Sequence, residues 1–223
     1  MKNISQKLFF LLWVKPFLAL FTGMRVKGRG NLPGHHPFIL IANHSSHLDT
    51  VSLLNLFPLR QLPCIHPVAA ADYFERNKFI SWLSKTLFNI LPIARKGITR
   101  ENNPVEAMKR ALGNRRSLLV FPEGTRSRDG EPKPFRSGIA RVIKENPAVP
   151  VIPCFLTNMW KSLPKGEWLP VPFICEIAIG EKIFPTGNLK EITAQLEGAI
   201  LKLKTAGTQR KDEKDAERPK RSE

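Results

Sequence analysis

The chain has 223 residues and a formal net charge of +16, with a pI near 10.2. That is long enough for one good-sized core, and the charge points to nucleic acid or to an anionic membrane surface with its phosphorylated lipids. Cys64, Cys154 and Cys175 are widely spaced with no C-x-x-C, which excludes a disulfide framework and a zinc site and reads as reduced, mostly buried thiols.

The N-terminal run over residues 8–21 is mostly apolar but broken by Lys15-Pro16, and basic residues flank it (Lys2, Lys7, Arg25, Lys27, Arg29). It is shorter than the about 20 residues a spanning helix needs, and Pro16 kinks or splits it. It has no small-residue cleavage site, which argues against a signal peptide. With Phe9, Phe10, Trp13, Phe17 and Phe21 it reads as a pair of short interfacial helices, residues 1–24, lying in a bilayer surface. The alternative is an ordinary helix packed over the domain. Residues 25–37 read as loop, with a short strand near 24–26 and His35 and His36 solvated.

Residues 38–42 form an apolar run that reads as a buried strand. It ends in Asn43-His44-Ser45-Ser46-His47-Leu48-Asp49. Ser45 or Ser46 suits the N-cap of a following helix, which places His44 at a strand-to-helix corner with Asp49 within reach. An imidazole can take a proton from a hydroxyl at neutral pH. A carboxylate on its other nitrogen fixes the tautomer and stabilises the imidazolium as it forms. No G-x-S-x-G is present and no Cys sits beside His44, so direct attack by a substrate hydroxyl is favoured over a covalent enzyme intermediate. An isolated His with an Asp five positions on is by itself also consistent with residues that merely cap a helix.

Further along, residues 66–70 read as a strand with His66 as a structural residue. Residues 78–88 have helical spacing, either covering the sheet or lining an acyl-chain tunnel. Residues 90–94 read as a third strand with Arg95-Lys96 at its end, placed for a phosphate or on a solvated edge. Residues 101–113 read as a helix with Val105, Met108 and Leu112 on one face and Gly113 as its stop. A strand over 117–121 leads into Val120-Phe121-Pro122-Glu123-Gly124-Thr125-Arg126-Ser127. A helix follows from Phe135 to Lys144 by pattern, then strands over 149–155 and 173–179. The loop between them, with Trp160 and Trp168, either touches an interface or packs. Residues 189–203 form an amphipathic helix with Ile192, Leu196, Ile200 and Leu203 on one stripe. From about Thr205 the charged tail has no apolar content and reads as disordered.

Together, Asn43-His44-x-Ser46-x-x-Asp49 and Phe121-Pro122-Glu123-Gly124-Thr125-Arg126-Ser127 resemble the glycerolipid acyltransferases, the family that includes 1-acyl-glycerol-3-phosphate acyltransferase. Val149-Pro150-Val151-Ile152-Pro153 matches that family's fourth block. Ile90 to Arg95 matches the second loosely, without the usual Gly and Phe before the Arg. The resemblance covers roughly residues 25–185. It implies an α/β fold: a single domain over 25–204 with a mixed, largely parallel sheet flanked by helices. To this are added the interfacial segment over 1–24 and the tail over 205–223.

The reaction it implies moves an acyl group from a thioester, acyl-CoA or acyl carrier protein, to a lysophospholipid hydroxyl. His44 would be the base and Asp49 its orienting partner. Arg126 would hold the acceptor phosphate, with Gly124 and Thr125 offering backbone N–H groups and a hydroxyl, and Arg95 contributing. Glu123 would bond an acceptor hydroxyl or hold Arg126. Amides at the helix start after His44 are the default oxyanion donors. No metal or other cofactor is implied. Partners are the two substrates, an anionic membrane and an acidic acyl carrier protein, at the cytoplasmic face of a membrane. The resemblance leaves open a transacylase or another lysolipid acceptor. Remoter readings are a non-catalytic lipid-binding protein and a basic nucleic-acid-binding module. The latter lacks any known motif or aromatic stacking platform, so nucleic acid is not expected.

Overall fold

The computed structural model describes residues 2–74, 82, 85–163, 171 and 173–216. The helix read over 78–88 lies largely outside the described residues, as do Trp168 and most of its loop, and residues 217–223. The described strands form one seven-stranded sheet. They are β1 (Arg25–Lys27), β2 (Ile39–Ala42), β3 (Ile65–Ala70), β4 (Leu91–Ile93), β5 (Ser117–Val120), β6 (Val151–Thr157) and β7 (Glu176–Ile179). The spatial order is β1-β7-β6-β2-β5-β3-β4. All neighbours are parallel except β6 and β7. The α/β fold with a mixed, largely parallel sheet expected from sequence is therefore what the chain adopts.

β2 sits in the middle, and its alternation sorts the core into two layers. Leu40 and Ala42 face one layer, which β1, β6 and β7 also feed and which the N-terminal helices cover. Ile39 and Ile41 face the other, with Leu118 and Val120 of β5. That side is covered by α5 (Pro104–Gly113), α6 (Gly138–Glu145) and α8 (Leu189–Ala216). The remaining described helices are α1 (Lys2–Phe9), α2 (Lys15–Phe21), α3 (Leu48–Asn55), α4 (Ala71–Phe74) and α7 (Met159–Ser162). Asn103 caps α5 by accepting the Val105 amide at 2.9 Å, which starts that helix three residues later than its apolar pattern.

Three expectations change. The N-terminal segment does not break at Lys15-Pro16. α1 and α2 are joined by a π-helical turn, Phe10–Val14, in which the Lys15 amide reaches back to the Phe10 carbonyl. Pro16 has no N–H, and its ring crowds the carbonyl four residues back; widening the turn absorbs both effects without ending the helix. Ile4–Phe21 is thereby long and apolar enough to cross a membrane by length and composition alone. One stripe of it, Phe10, Val14 and Leu18, is buried in the domain core, while Ile4, Leu8, Leu11, Leu12, Trp13 and Leu20 are exposed.

The second change is at the C-terminus. The tail read as disordered from Thr205 continues the α8 helix to Ala216. Lys, Arg, Glu, Gln and Ala are good helix formers, and the packed stretch upstream supplies the costly nucleus. Third, His36 is not a solvated loop residue. Its Nδ1 lies 2.6 Å from Ser117 Oγ and its ring stacks on Phe38, so burial lowers its pKa, with His35 adding to the effect. The cysteines are unpaired. Burial pushes the Cys175 thiol up to about 11 and raises Cys154 as well.

Leu196 lies at the centre of the buried α8 stripe between Ile192 and Ile200. Leu196→Ala is expected to cost about 2–5 kcal/mol in urea unfolding. A loss below about 0.5 kcal/mol would mean that this face is not core.

Candidate active site

β2 ends at Ala42, and the chain turns through residues 43–47 before α3. Asn43 holds the turn to β6 from both ends of its amide. Nδ2 donates to the Leu156 carbonyl at 2.9 Å, and Oδ1 accepts the Leu156 amide at 2.7 Å. His44 then places Nδ1 2.8 Å from Asp49 Oδ2. The same oxygen accepts the amides of Ser45 at 2.7 Å and Ser46 at 2.8 Å. The Asp49 side chain is fully buried, while that of His44 is 19% exposed. Nδ1 faces the carboxylate, so Nε2 is the nitrogen left to take a substrate proton.

Because Asp49 holds the Ser45 and Ser46 amides, these residues form a turn, and α3 begins later than predicted, at Leu48. Ser46 still caps in part, its Oγ accepting the Leu48 amide at 3.2 Å. The same bonds already engage two of the amides expected as default oxyanion donors. The Ser45 and Ser46 amides are engaged by Asp49, and the His44 amide is engaged by Glu123.

The second motif closes over the first. β5 is the direct neighbour of β2, so its exit loop arrives beside His44. The His44 amide donates to Glu123 Oε1 at 3.1 Å. The His44 carbonyl accepts the Ser127 amide at 2.8 Å. The Phe121 ring stacks on the imidazole with centroids 4.0 Å apart and planes 16° apart. Glu123 is buried, and its carboxyl is pushed up to about 7. Desolvation is the main cause, opposed by the His44 amide and by Lys133.

Gly124 has φ +69, and a Cβ there would lie 2.7 Å from Arg136 Nε, so the turn requires glycine. Its amide is not free for a substrate phosphate: it donates to the Phe121 carbonyl at 3.0 Å. Its carbonyl accepts Arg95 Nη2 at 2.7 Å, which brings the loosely matched second block to the same turn. Thr125 is exposed and Arg126 half-buried. Arg126 Nη1 is shielded from solvent yet has no hydrogen-bond partner among the described residues, while Lys133 Nζ donates to the Arg126 carbonyl at 3.2 Å. Desolvation lowers the His47 pKa, and the nearby Arg126 charge lowers it further.

All seven residues singled out from sequence (His44, Asp49, Arg95, Glu123, Gly124, Thr125, Arg126) thus belong to one turn-on-turn assembly at the carboxyl ends of β2, β4 and β5. Glu123 reaches the backbone of His44, a partner that neither of its predicted roles named. Asn43, Phe121 and Ser127 were visible only as motif members, and Ser46 otherwise only as a cap. Their contacts to Leu156, Leu163 and His44 depend on strand adjacency, which local spacing does not encode.

A family model described as Acyltransferase matches residues 23–157. The chain belongs to that family. Among curated relatives, it is 30% identical over 160 residues to a chloroplastic 1-acyl-sn-glycerol-3-phosphate acyltransferase of Brassica napus, covering 70% of this chain and 43% of the relative. It is 34% identical over 146 residues to the 1-acyl-sn-glycerol-3-phosphate acyltransferase of Saccharomyces cerevisiae, covering 63% and 45%. The chain spans about half the length of the curated relatives it matches. The fold is shared with the 1-acyl-sn-glycerophosphate (LPA) acyltransferase of Thermotoga maritima. That alignment has a TM-score of 0.69 at 24% identity and covers 90% of this chain and 77% of the other.

The raised Glu123 carboxyl ties stability to pH. Between the ordinary value of 4.5 and about 7, the folded chain keeps a proton that the unfolded chain has lost. Stability therefore falls as pH rises through that window. Glu123→Gln removes this penalty while keeping an oxygen acceptor for the His44 amide. Its stability relative to wild type is expected to improve between pH 4.5 and pH 8 by up to about 3 kcal/mol. Denaturant titrations at several pH values measure this; a difference that stays flat with pH would show that Glu123 does not retain its proton.

Proposed function

We propose that the chain transfers a fatty acyl group from an acyl thioester to the free hydroxyl of 1-acylglycerol-3-phosphate, giving phosphatidic acid for phospholipid synthesis. The observation that carries this reading is the His44–Asp49 pair, 2.8 Å apart, packed against the loop that carries Arg126, whose Nη1 is buried with no hydrogen-bond partner among the described residues.

In the proposed reaction, His44 Nε2 takes the proton of the acceptor hydroxyl as its oxygen attacks the thioester carbonyl carbon. Asp49 holds Nδ1–H and stabilises the imidazolium. The tetrahedral intermediate collapses, the C–S bond breaks, and the imidazolium returns the proton to the departing thiolate. Phe121 fixes the plane of the ring, and Glu123 fixes the backbone that carries it. Arg126 takes the acceptor phosphate, for which a planar, always-charged guanidinium is suited. Arg95 and Thr125 border the same anion. Gly124 serves the shape of the turn. The step uses no metal or other cofactor, and the donor is acyl-CoA or acyl carrier protein. The protein works at the cytoplasmic face of a membrane, where the apolar N-terminal helix and the basic charge of the chain favour an anionic leaflet.

The test is thioester consumption by purified protein with lysophosphatidic acid and acyl-CoA. His44→Ala is expected to lower kcat by about 10²–10⁴-fold; an undiminished rate would remove the base from the mechanism. If wild type is inactive, a carrier-protein donor and a panel of lysolipids decide whether the acceptor has been misassigned.

Arg126→Ala separates recognition from chemistry. It is expected to raise KM for lysophosphatidic acid by roughly 10–100-fold and to leave KM for monoacylglycerol unchanged. Equal effects on the two acceptors would end the case for a phosphate site at Arg126.

A further inference from the structure

The chain leaves β6 at Thr157 and re-enters the sheet at Glu176 at the same edge that carries His44. Asn158, left-handed at φ +65, donates Nδ2 to the Ile174 carbonyl at 3.3 Å. Ser162 accepts the Val171 amide on its carbonyl at 2.8 Å and donates Oγ to the Val171 carbonyl at 3.1 Å. Thr22, just past α2, forms a parallel bridge with Phe173, and Ile174 lies over Gly23. The backbones of Val171, Phe173 and Ile174 are therefore held in place. Their side chains nevertheless face solvent, at 54%, 38% and 54% exposure, beside Leu20 of α2 at 73%. Lys161 Nζ sits 5.4 Å from the Trp160 ring and 5.2 Å from the Phe173 ring.

This surface is joined to the active site at two points. Trp160 packs on Gly130, whose φ is +81 and where a Cβ would collide with the indole. Gly130 is four residues beyond Arg126. Ser46, two residues beyond His44, donates Oγ to the Leu163 carbonyl at 2.9 Å.

We propose that Lys161, Val171, Phe173 and Ile174 form a second lipid contact. This rim inserts into an anionic bilayer beside α2 and holds the mouth of the active site against the membrane. It rests on the reading of a lipid acceptor given above. The bilayer is favoured as occupant by continuity with the exposed apolar face of the N-terminal helix through the Thr22–Phe173 bridge. It is favoured also by the pairing of aromatic rings with a lysine, the composition of interfacial belts. The net charge of +16 complements anionic headgroups. Apolar side chains on an already fixed backbone lose little freedom on insertion.

Two variants test the rim, the double variant Phe173→Asp/Ile174→Asp and the single Val171→Asp. Each is compared with wild type in co-sedimentation with vesicles of equal parts phosphatidylcholine and phosphatidylglycerol. Melting temperature, self-association and turnover of a short-chain acceptor below its micellar concentration are measured alongside. Each variant is expected to lose on the order of tenfold in vesicle affinity, with melting and soluble turnover unchanged. Wild-type affinity in both variants overturns the proposal. So does loss of self-association with vesicle binding intact, which would make the rim a protein interface. If the double variant melts early, Val171→Asp decides. Failure of the acyltransferase reading would appear instead as absent turnover in wild type, and the vesicle comparison does not depend on it.

Discussion

The Asp49 carboxylate is the interaction on which the rest of the site depends. It is fully buried, and one oxygen collects three donors, His44 Nδ1 and the amides of Ser45 and Ser46. A carboxylate removed from water is costly unless hydrogen-bonded. Here the donors come from His44 and the two residues that follow it, and the first turn of α3 adds the favourable end of its dipole. One group therefore orients the imidazole, shapes the turn that carries it and sets where α3 begins. Removing its charge would loosen all three together.

The two sequence motifs are halves of one structural object. Residue 44 is gripped through its amide by Glu123, through its carbonyl by Ser127 and across its ring by Phe121. Asn43 ties the same turn to β6, and Ser46 ties it to the end of α7. Such a base moves only if several elements move with it, which is how proximity and orientation are made to last. Gly124 shows how tight the assembly is. Its amide, its carbonyl and its missing side chain are all used, none of them by a substrate.

The strands and the His44–Asp49 pair were legible because an apolar run and a short reach are local signals. The two-layered core was not legible: residues 38–42 read as one unbroken apolar run, and only the packing around β2 shows that Leu40 and Ala42 enter one layer and Ile39 and Ile41 the other. The engagement of the Ser45, Ser46 and Gly124 amides was not legible, because a sequence shows which donors exist and not what already occupies them. The role of Arg95 was ambiguous for a related reason: its partner is a backbone carbonyl 29 residues away, beyond a strand that is consecutive in the chain but separated from β4 in the sheet by β3. The run through Lys15-Pro16 misled because proline's local rule breaks helices, while burial of Phe10, Val14 and Leu18 rewards keeping this one whole. The charged end of α8 misled in the opposite sense, since composition says nothing about a helix already nucleated upstream.

One strand's direction explains why the proposed lipid-facing rim and the His44 turn share an edge. β7 runs antiparallel to β6, so the chain leaves β6 and enters β7 at one edge of the sheet, and β6 ends there beside β2 and His44. β1 pairs parallel to β7, so the chain must enter β1 from that edge too, and α2 must finish there. Were β7 parallel to β6, the entries into both β7 and β1, and with them the end of α2, would lie at the far edge of the sheet, a sheet's length from His44. A soluble substrate would not notice that difference. An acceptor whose acyl chain stays in a bilayer would, because its hydroxyl and phosphate can travel only a short way out of the headgroup layer. The reversed pair β1–β7 at one margin of an otherwise parallel sheet is thus the topological feature that brings the exposed apolar N-terminal helix and the His44–Asp49 pair to the same side of the molecule.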